Sequence, residues 1–187
     1  MLLRCCLLAT LLLLGACQTP RVDSDYDPQR DFATLRTWRW AEPALQYRPD
    51  DPRLASDLTA QRVREAVAEQ LERRGLRSAA AGAPADLQVQ AWLIVEQRQQ
   101  QVVSHYGGFA GPYWGGYWGG MPYSEVRTLD YRVGTLQLDL RDSAGHLVWR
   151  GSAAQVLPAT PGTPAERSAA IRATVAKILD QYPPRRR

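Results

Sequence analysis

Side chains able to do covalent or acid–base chemistry are few in this 187-residue chain. Its two histidines are His105 and His146, and its three cysteines, Cys5, Cys6 and Cys17, all lie near the N-terminus. Beyond Cys17 there is therefore no disulfide framework, no cysteine-based metal cluster and no thiol nucleophile. Ser104 precedes His105, but neighbours in an extended strand point to opposite faces and make a poor nucleophile–base pair. His146 adjoins a turn, where an exposed histidine is ordinary. No histidine or carboxylate grouping has metal-ligand spacing. Asp25, Asp27 and Asp31 cluster around Tyr26. Such carboxylates could serve glycoside hydrolysis or calcium binding. Their spacing is not that of an EF-hand, however, and their place at the start of the folded region predicts caps and turns. Asp139 and Arg150 face each other across an expected hairpin and predict a cross-strand ion pair. No catalytic residue, metal or cofactor is expected.

The stretch GPYWGGYWGGMPY, Gly111 to Tyr123, nearly repeats itself. It lacks the lysine of a P-loop and the spacing of a dinucleotide fingerprint. Tyr113, Trp114, Tyr117 and Trp118 have helical spacing, but Gly115, Gly116, Gly119 and Gly120 oppose a helix. Three readings stay open. The rings could form a lid over a sheet face, a contact surface for an envelope protein or glycan, or a touch point at the membrane interface.

The remaining chemistry is at the N-terminus, MLLRCCLLATLLLLGAC. Arg4 is followed by the uncharged run Cys5 to Leu14, too short for a spanning helix of about 20 residues and suited to a signal peptide. Leu14-Gly15-Ala16-Cys17 resembles the bacterial lipobox. That resemblance implies diacylation of the Cys17 thiol, cleavage before it and acylation of the new amine. Several acyl chains anchor stably where one is marginal. Gln18 stands where an inner-membrane retention signal would place aspartate, which implies the periplasmic face of the outer membrane.

Composition sets the frame around these features. The net charge of +4 comes from Arg4, Arg185, Arg186 and Arg187, and the body between them is neutral. The pI of 9.2 is thus no sign of nucleic-acid binding. Four segments are expected: a signal peptide over 1–16, a lipidated N-terminus and tether over 17–30, a single domain over 31–184, and a basic tip over 185–187. Within the domain, FATLRTWRWA (Phe32 to Ala41) predicts a strand, and the proline-bearing stretch Glu42 to Pro52 a loop. Val63, Ala66, Val67, Gln70 and Leu71 make the apolar stripe of a helix over Asp57 to Arg74, capped by Ser56 or Asp57 and ended by Gly75. Ser78 to Ala85 reads as loop. Leu87, Val89, Ala91, Leu93 and Val95 alternate with more polar residues in a second strand, whose far half projects beyond the core. Strands over Ser124 to Arg141 and His146 to Val156 flank the turn Asp142-Ser143-Ala144-Gly145. Thr163, Pro164 and Glu166 open a last helix with a capping box. The order β-α-β-β-β-α predicts an α+β two-layer sandwich, a mostly antiparallel four-stranded sheet with two helices on one face.

Taken in order, Asp25-Tyr26-Asp27-Pro28, Asp31-Phe32, Trp38-Arg39-Trp40, the helix ending near Gly75 and Ala85-Asp86-Leu87 match one family's opening. The Trp-Gly-Gly stretch, Gly134-Thr135-Leu136, Leu147-Val148-Trp149-Arg150-Gly151 and Tyr182-Pro183-Pro184 continue the match. Over residues 23–184 the chain resembles the bacterial lipoproteins with domain of unknown function 4136. The resemblance implies an envelope lipoprotein and supplies no catalytic residues. The expected function is a non-catalytic structural or binding role in the periplasm, with the membrane as partner through Cys17, a possible protein or glycan partner and no nucleic acid. The alternative is a cell-wall or glycan hydrolase that uses carboxylates.

Overall fold

Residues 21–80, 82–106 and 123–184 are described by the structure, a computed structural model. In chain order the strands and helices are β1 (Arg21–Tyr26), β2 (Thr37–Arg48), α1 (Asp57–Arg73), β3 (Arg77–Ser78), β4 (Leu87–Tyr106), β5 (Tyr123–Asp142), β6 (Leu147–Val156) and α2 (Pro164–Leu179). The strands form one sheet in the order β1-β6-β5-β4-β2-β3. Pairs β1–β6, β6–β5 and β5–β4 are antiparallel, whereas β4–β2 and β2–β3 are parallel.

The expected four-stranded, mostly antiparallel sheet in the order β-α-β-β-β-α is therefore corrected to a six-stranded mixed sheet. The parallel pairing follows from connectivity. A helix that carries the chain from one strand to its neighbour over a single face returns it in the same direction. Phe32–Thr34, expected in a strand, is a 3₁₀ turn capped by the Asp31 carboxylate, which accepts from Ala33 N. β2 runs on through Pro43, where composition indicates loop. The proline is accommodated because pairing with β4 breaks between Trp40 and Leu45 and resumes beyond it, as expected of proline at a bulge. β1 falls within the stretch read as tether. Its polar residues carry no alternation because it is an exposed edge strand, positioned by the backbone of β6.

One sheet face carries the core. Leu87, Val89 and Ala91 of β4, Leu136, Leu138 and Leu140 of β5, and Trp149 and Ala153 of β6 pack there with Trp38. Val63, Val67 and Leu71 of α1 and Val175, Ile178 and Leu179 of α2 cover them. The indole N–H groups of Trp38 and Trp149 have no hydrogen-bond partner among the described residues. Each omission costs about 1–3 kcal/mol. Burying a ring of about 150–250 Å² at about 25 cal/mol per Å² outweighs it.

The helices lie parallel, tied at both ends. Arg62 donates from Nε to Ser168 Oγ at 2.9 Å. Twelve residues on, Arg74 donates to the Leu179 and Tyr182 carbonyls at 2.7 and 3.1 Å and to Gln70. The C-terminal half of α2 presses onto the sheet where β6 has glycine. A Cβ at Gly151 would meet the Trp149 ring and lie 2.7 Å from Ile178 Cγ2. Beyond the core, β4 and β5 continue as a two-stranded ribbon. β2 pairs with β4 only as far as Ile94, and β6 with β5 only as far as Val133, yet the ladder runs on to Tyr106 and Tyr123.

Two expectations follow. Gly151→Ala should lower the free energy of unfolding by about 1–3 kcal/mol through overpacking; a chemical denaturation midpoint equal to wild type would contradict the close seat of α2. The second concerns Asp86, which accepts from Arg36 N, Thr37 N and Thr37 Oγ1 and so joins the starts of β2 and β4. These bonds, Arg36 N first, hold its carboxyl below the usual aspartate range. A depressed folded-state value contributes stability above the unfolded value of about 3.9 and loses it as pH falls through the folded one. Asp86→Ala should thus cost roughly 1 kcal/mol at pH 7 and progressively less in acid below pH ~4. A stability difference that stays constant down to pH ~2 would remove the linkage.

Candidate functional site

A cavity of about 390 Å³ opens between the N-terminal halves of the two helices and the sheet. Its walls are built by spacing alone. Thr59, Arg62 and Val63 line it from the first turns of α1, and Arg167, Ala170, Ile171 and Thr174 from α2 at intervals of three and four. Leu93 of β4, Gly134 and Leu136 of β5, and Ala153 and Gln155 of β6 form the floor. Leu136 and Ala153 are directly paired across β5 and β6, as are Gly134 and Gln155. Gly134 makes room for Leu157, just past β6, which packs over it: a Cβ there would stand 2.8 Å from Leu157 Cδ2. The volume falls in the range of about 300–1,000 Å³ common to small-molecule sites.

The charged groups of the lining are Arg62, Arg132, Arg167 and Glu166. Glu166 is committed to the capping box of α2. It accepts from Thr163 N at 2.7 Å and Thr163 Oγ1 at 2.9 Å, bonds that hold its carboxyl below the ordinary glutamate value. A general acid needs the opposite shift. Neither Arg132 nor Arg167 has an acidic partner among the described residues.

The sequence-derived candidates are dispersed elsewhere. Asp25, Asp27 and Asp31 accept from the backbone N–H of Tyr26, Gln29 and Ala33 and do not converge. Asp139, 1% exposed, receives Arg150 in two bonds of 2.7 Å, the expected cross-strand pair on the sheet face away from the helices. His146 lies 3.6 Å from Asp142, whose carboxylate also pairs with Arg30. Burial opposes the charge on Asp142, but the His146 N–H and Arg30 still bring its carboxyl below the usual range. His105 meets Ser124, at 2.8 Å, rather than Ser104. That contact was missed because it depends on the register of β4 against β5, which places the two residues directly opposite. Both are exposed, and the structure gives His105 no orienting carboxylate among the described residues. Cys17, Tyr113, Trp114, Tyr117 and Trp118 lie outside the described residues. The described residues hold no metal-ligand grouping and no helix long and apolar enough to cross a membrane.

The cavity itself had no signal in the sequence, because its lining comes from five elements. The lone trace was Gly134, an unexplained glycine in an alternating strand.

Comparison with known proteins adds family and fold. The family model of DUF4136, a domain of unknown function, matches residues 22–184. A DUF4136 family protein from Bacteroides thetaiotaomicron superposes with a TM-score of 0.52 at 19% identity, over 89% of this chain and 97% of that one. A PelC dodecamer subunit from Paraburkholderia phytofirmans gives 0.46 at 15% identity, over 89% and 99%. A PDZ domain protein from Parabacteroides distasonis gives 0.49 at 14% identity, and this chain, matched over 96% of its length, spans 40% of that protein. No curated protein matches.

The state of Glu166 can be checked directly. An NMR titration of the glutamate side chains should place its midpoint below the ordinary value of about 4.3. A midpoint above that value would return it to the list of possible acids.

Proposed function

This chain belongs to the DUF4136 family, and on that premise we propose that it is a lipid-anchored envelope protein whose domain acts as a non-catalytic binding module. The anchor is the acylated Cys17, and the site of action is the periplasmic face of the outer membrane. The observation that carries the binding role is the apolar cavity between the helices and the sheet, whose single carboxylate is spent on a helix cap. A hydrolase site should bring titratable groups together with values shifted toward their task. Here the carboxyls of Asp86, Asp142 and Glu166 are all lowered by local hydrogen bonds or charges, and no two share the cavity. Exposed apolar residues on the ribbon, such as Val103 and Val126, which face each other at 49% and 58% exposure, extend the surface open to a partner. The leader sequence supports the anchor independently of the domain.

Cys17→Ala should abolish labelling by a clickable fatty acid and shift the protein out of the membrane fraction of cells expressing it. Labelling that survives the change would remove the anchor from this reading. Release of muropeptides from purified cell wall by the wild-type protein would replace binding with hydrolysis.

A further inference from the structure

We propose that the cavity binds one acyl chain of a single-chain anionic amphiphile, with the anionic head held at its rim by Arg132 and Arg167. The inference rests on the binding-module reading but is independent of the anchor at Cys17.

The interior fits a hydrocarbon. Val63, Leu93, Leu136, Ala153, Leu157 and Ile171 supply most of the surface; of the uncharged polar residues Thr59, Gln155 and Thr174, the last donates to the Ala170 carbonyl at 2.8 Å. An apolar chain that enters such a space gains about 25 cal/mol for each Å² removed from water, set against the desolvation of Thr59 and Gln155 where the chain covers them.

The rim fits an anion. Arg132 and Arg167 are exposed residues that also line the cavity, so they mark its opening. Arg132 shares a strand face with Gly134 and Leu136, each two residues further along β5. That face therefore passes from apolar floor to guanidinium in a single strand, the polarity order of a fatty acid. Arg62, half-buried and held by Ser168, adds a third positive charge. Against these three stands Glu166, with an oxygen engaged by Thr163. An unpaired guanidinium offers a planar fork to a carboxylate or phosphate, and such charge-assisted bonds are about twice as strong as neutral ones.

The test is a fluorescence titration of the full chain carrying Cys17→Ala, purified without detergent, with 11-(dansylamino)undecanoic acid. Saturable one-to-one binding is expected, displaced by dodecanoate at least tenfold better than by dodecanol. Ala170→Trp, at an exposed lining position on α2, should reduce binding at least tenfold with an unchanged melting temperature. Arg132→Glu with Arg167→Glu should reduce dodecanoate affinity about tenfold and leave dodecanol unchanged. Competition by lysophosphatidylglycerol stronger than by dodecanoate would point to a membrane phospholipid as the source of the chain; the reverse would point to a free fatty acid. Absence of saturable binding, or full binding by a folded Ala170→Trp protein, overturns the acyl-chain site. Equal displacement by dodecanol and dodecanoate overturns the anionic head. Each of these results leaves the Cys17 labelling experiment to stand or fall separately.

Discussion

Ile178 of α2 sits over Gly151 of β6 with no room for a methyl group between them. This contact sets how closely the second helix approaches the sheet, and much of the molecule follows from it. With α2 at that height, Trp149 is fully buried, and Tyr182 just beyond the helix meets its ring edge-on at 5.5 Å. Phe32 packs edge-on against Tyr182 at 5.7 Å, and Tyr26 against Phe32 at 6.2 Å. The chain's first strand, its early turn and its C-terminus are thus joined through four rings. Burial pushes the Tyr182 hydroxyl up to about 12.

The same contact accounts for the cavity. Two parallel helices tied by Arg74 at one end and Arg62 at the other behave as a single layer over the sheet. At the Gly151 end the layer is in full contact, and Val175, Ile178 and Leu179 are all fully buried. Two turns earlier the sheet presents Ala153, with Leu157 seated over Gly134 beside it, while α2 presents Ala170 and a partly buried Ile171. Small residues on both surfaces leave a gap where larger ones would have closed it. A gap lined by apolar side chains forfeits dispersion contacts, so filling it with a ligand would recover part of that loss.

How much of this could be read from the residues depended on how local the determining interactions are. The capping box of Thr163 and Glu166, the stop at Gly75, the turn after Asp142 and the Asp139–Arg150 pair all involve neighbours or a tight hairpin, and each was legible. The periodicity of β4 also showed where its core face ends. Three things were not legible. β1 and β3 are edge strands whose pairing is dictated by partners far along the chain, so their own sequences need carry no alternation. The second half of β2 was hidden by Pro43, because proline marks loops and bulges alike. The parallel union of β2 with β4 was implicit in a strand–helix–strand order and was outweighed by the evident hairpins. The cavity lay further out of reach, since no local pattern distinguishes a lining alanine from a packing one. For the anchor and the aromatic stretch the sequence remains the sole source.

The distribution of charge gives the domain its character. Its acids are largely consumed by architecture: Asp31 and Glu166 cap, Asp86 fastens two strand starts, Asp139 lies under Arg150, and Asp142 organises a turn and pairs with Arg30. The groups around Asp86, Asp142 and Glu166 favour the ionised form, which suits a structural role and opposes proton transfer. The arginines are used unevenly. Several answer those acids, but Arg132 and Arg167 do not, and both stand at the opening of the apolar cavity. A body with nearly balanced charge can therefore present a locally positive mouth, because its negative partners are already engaged elsewhere. That separation, rather than the overall pI, is the feature that the proposed anionic head would use.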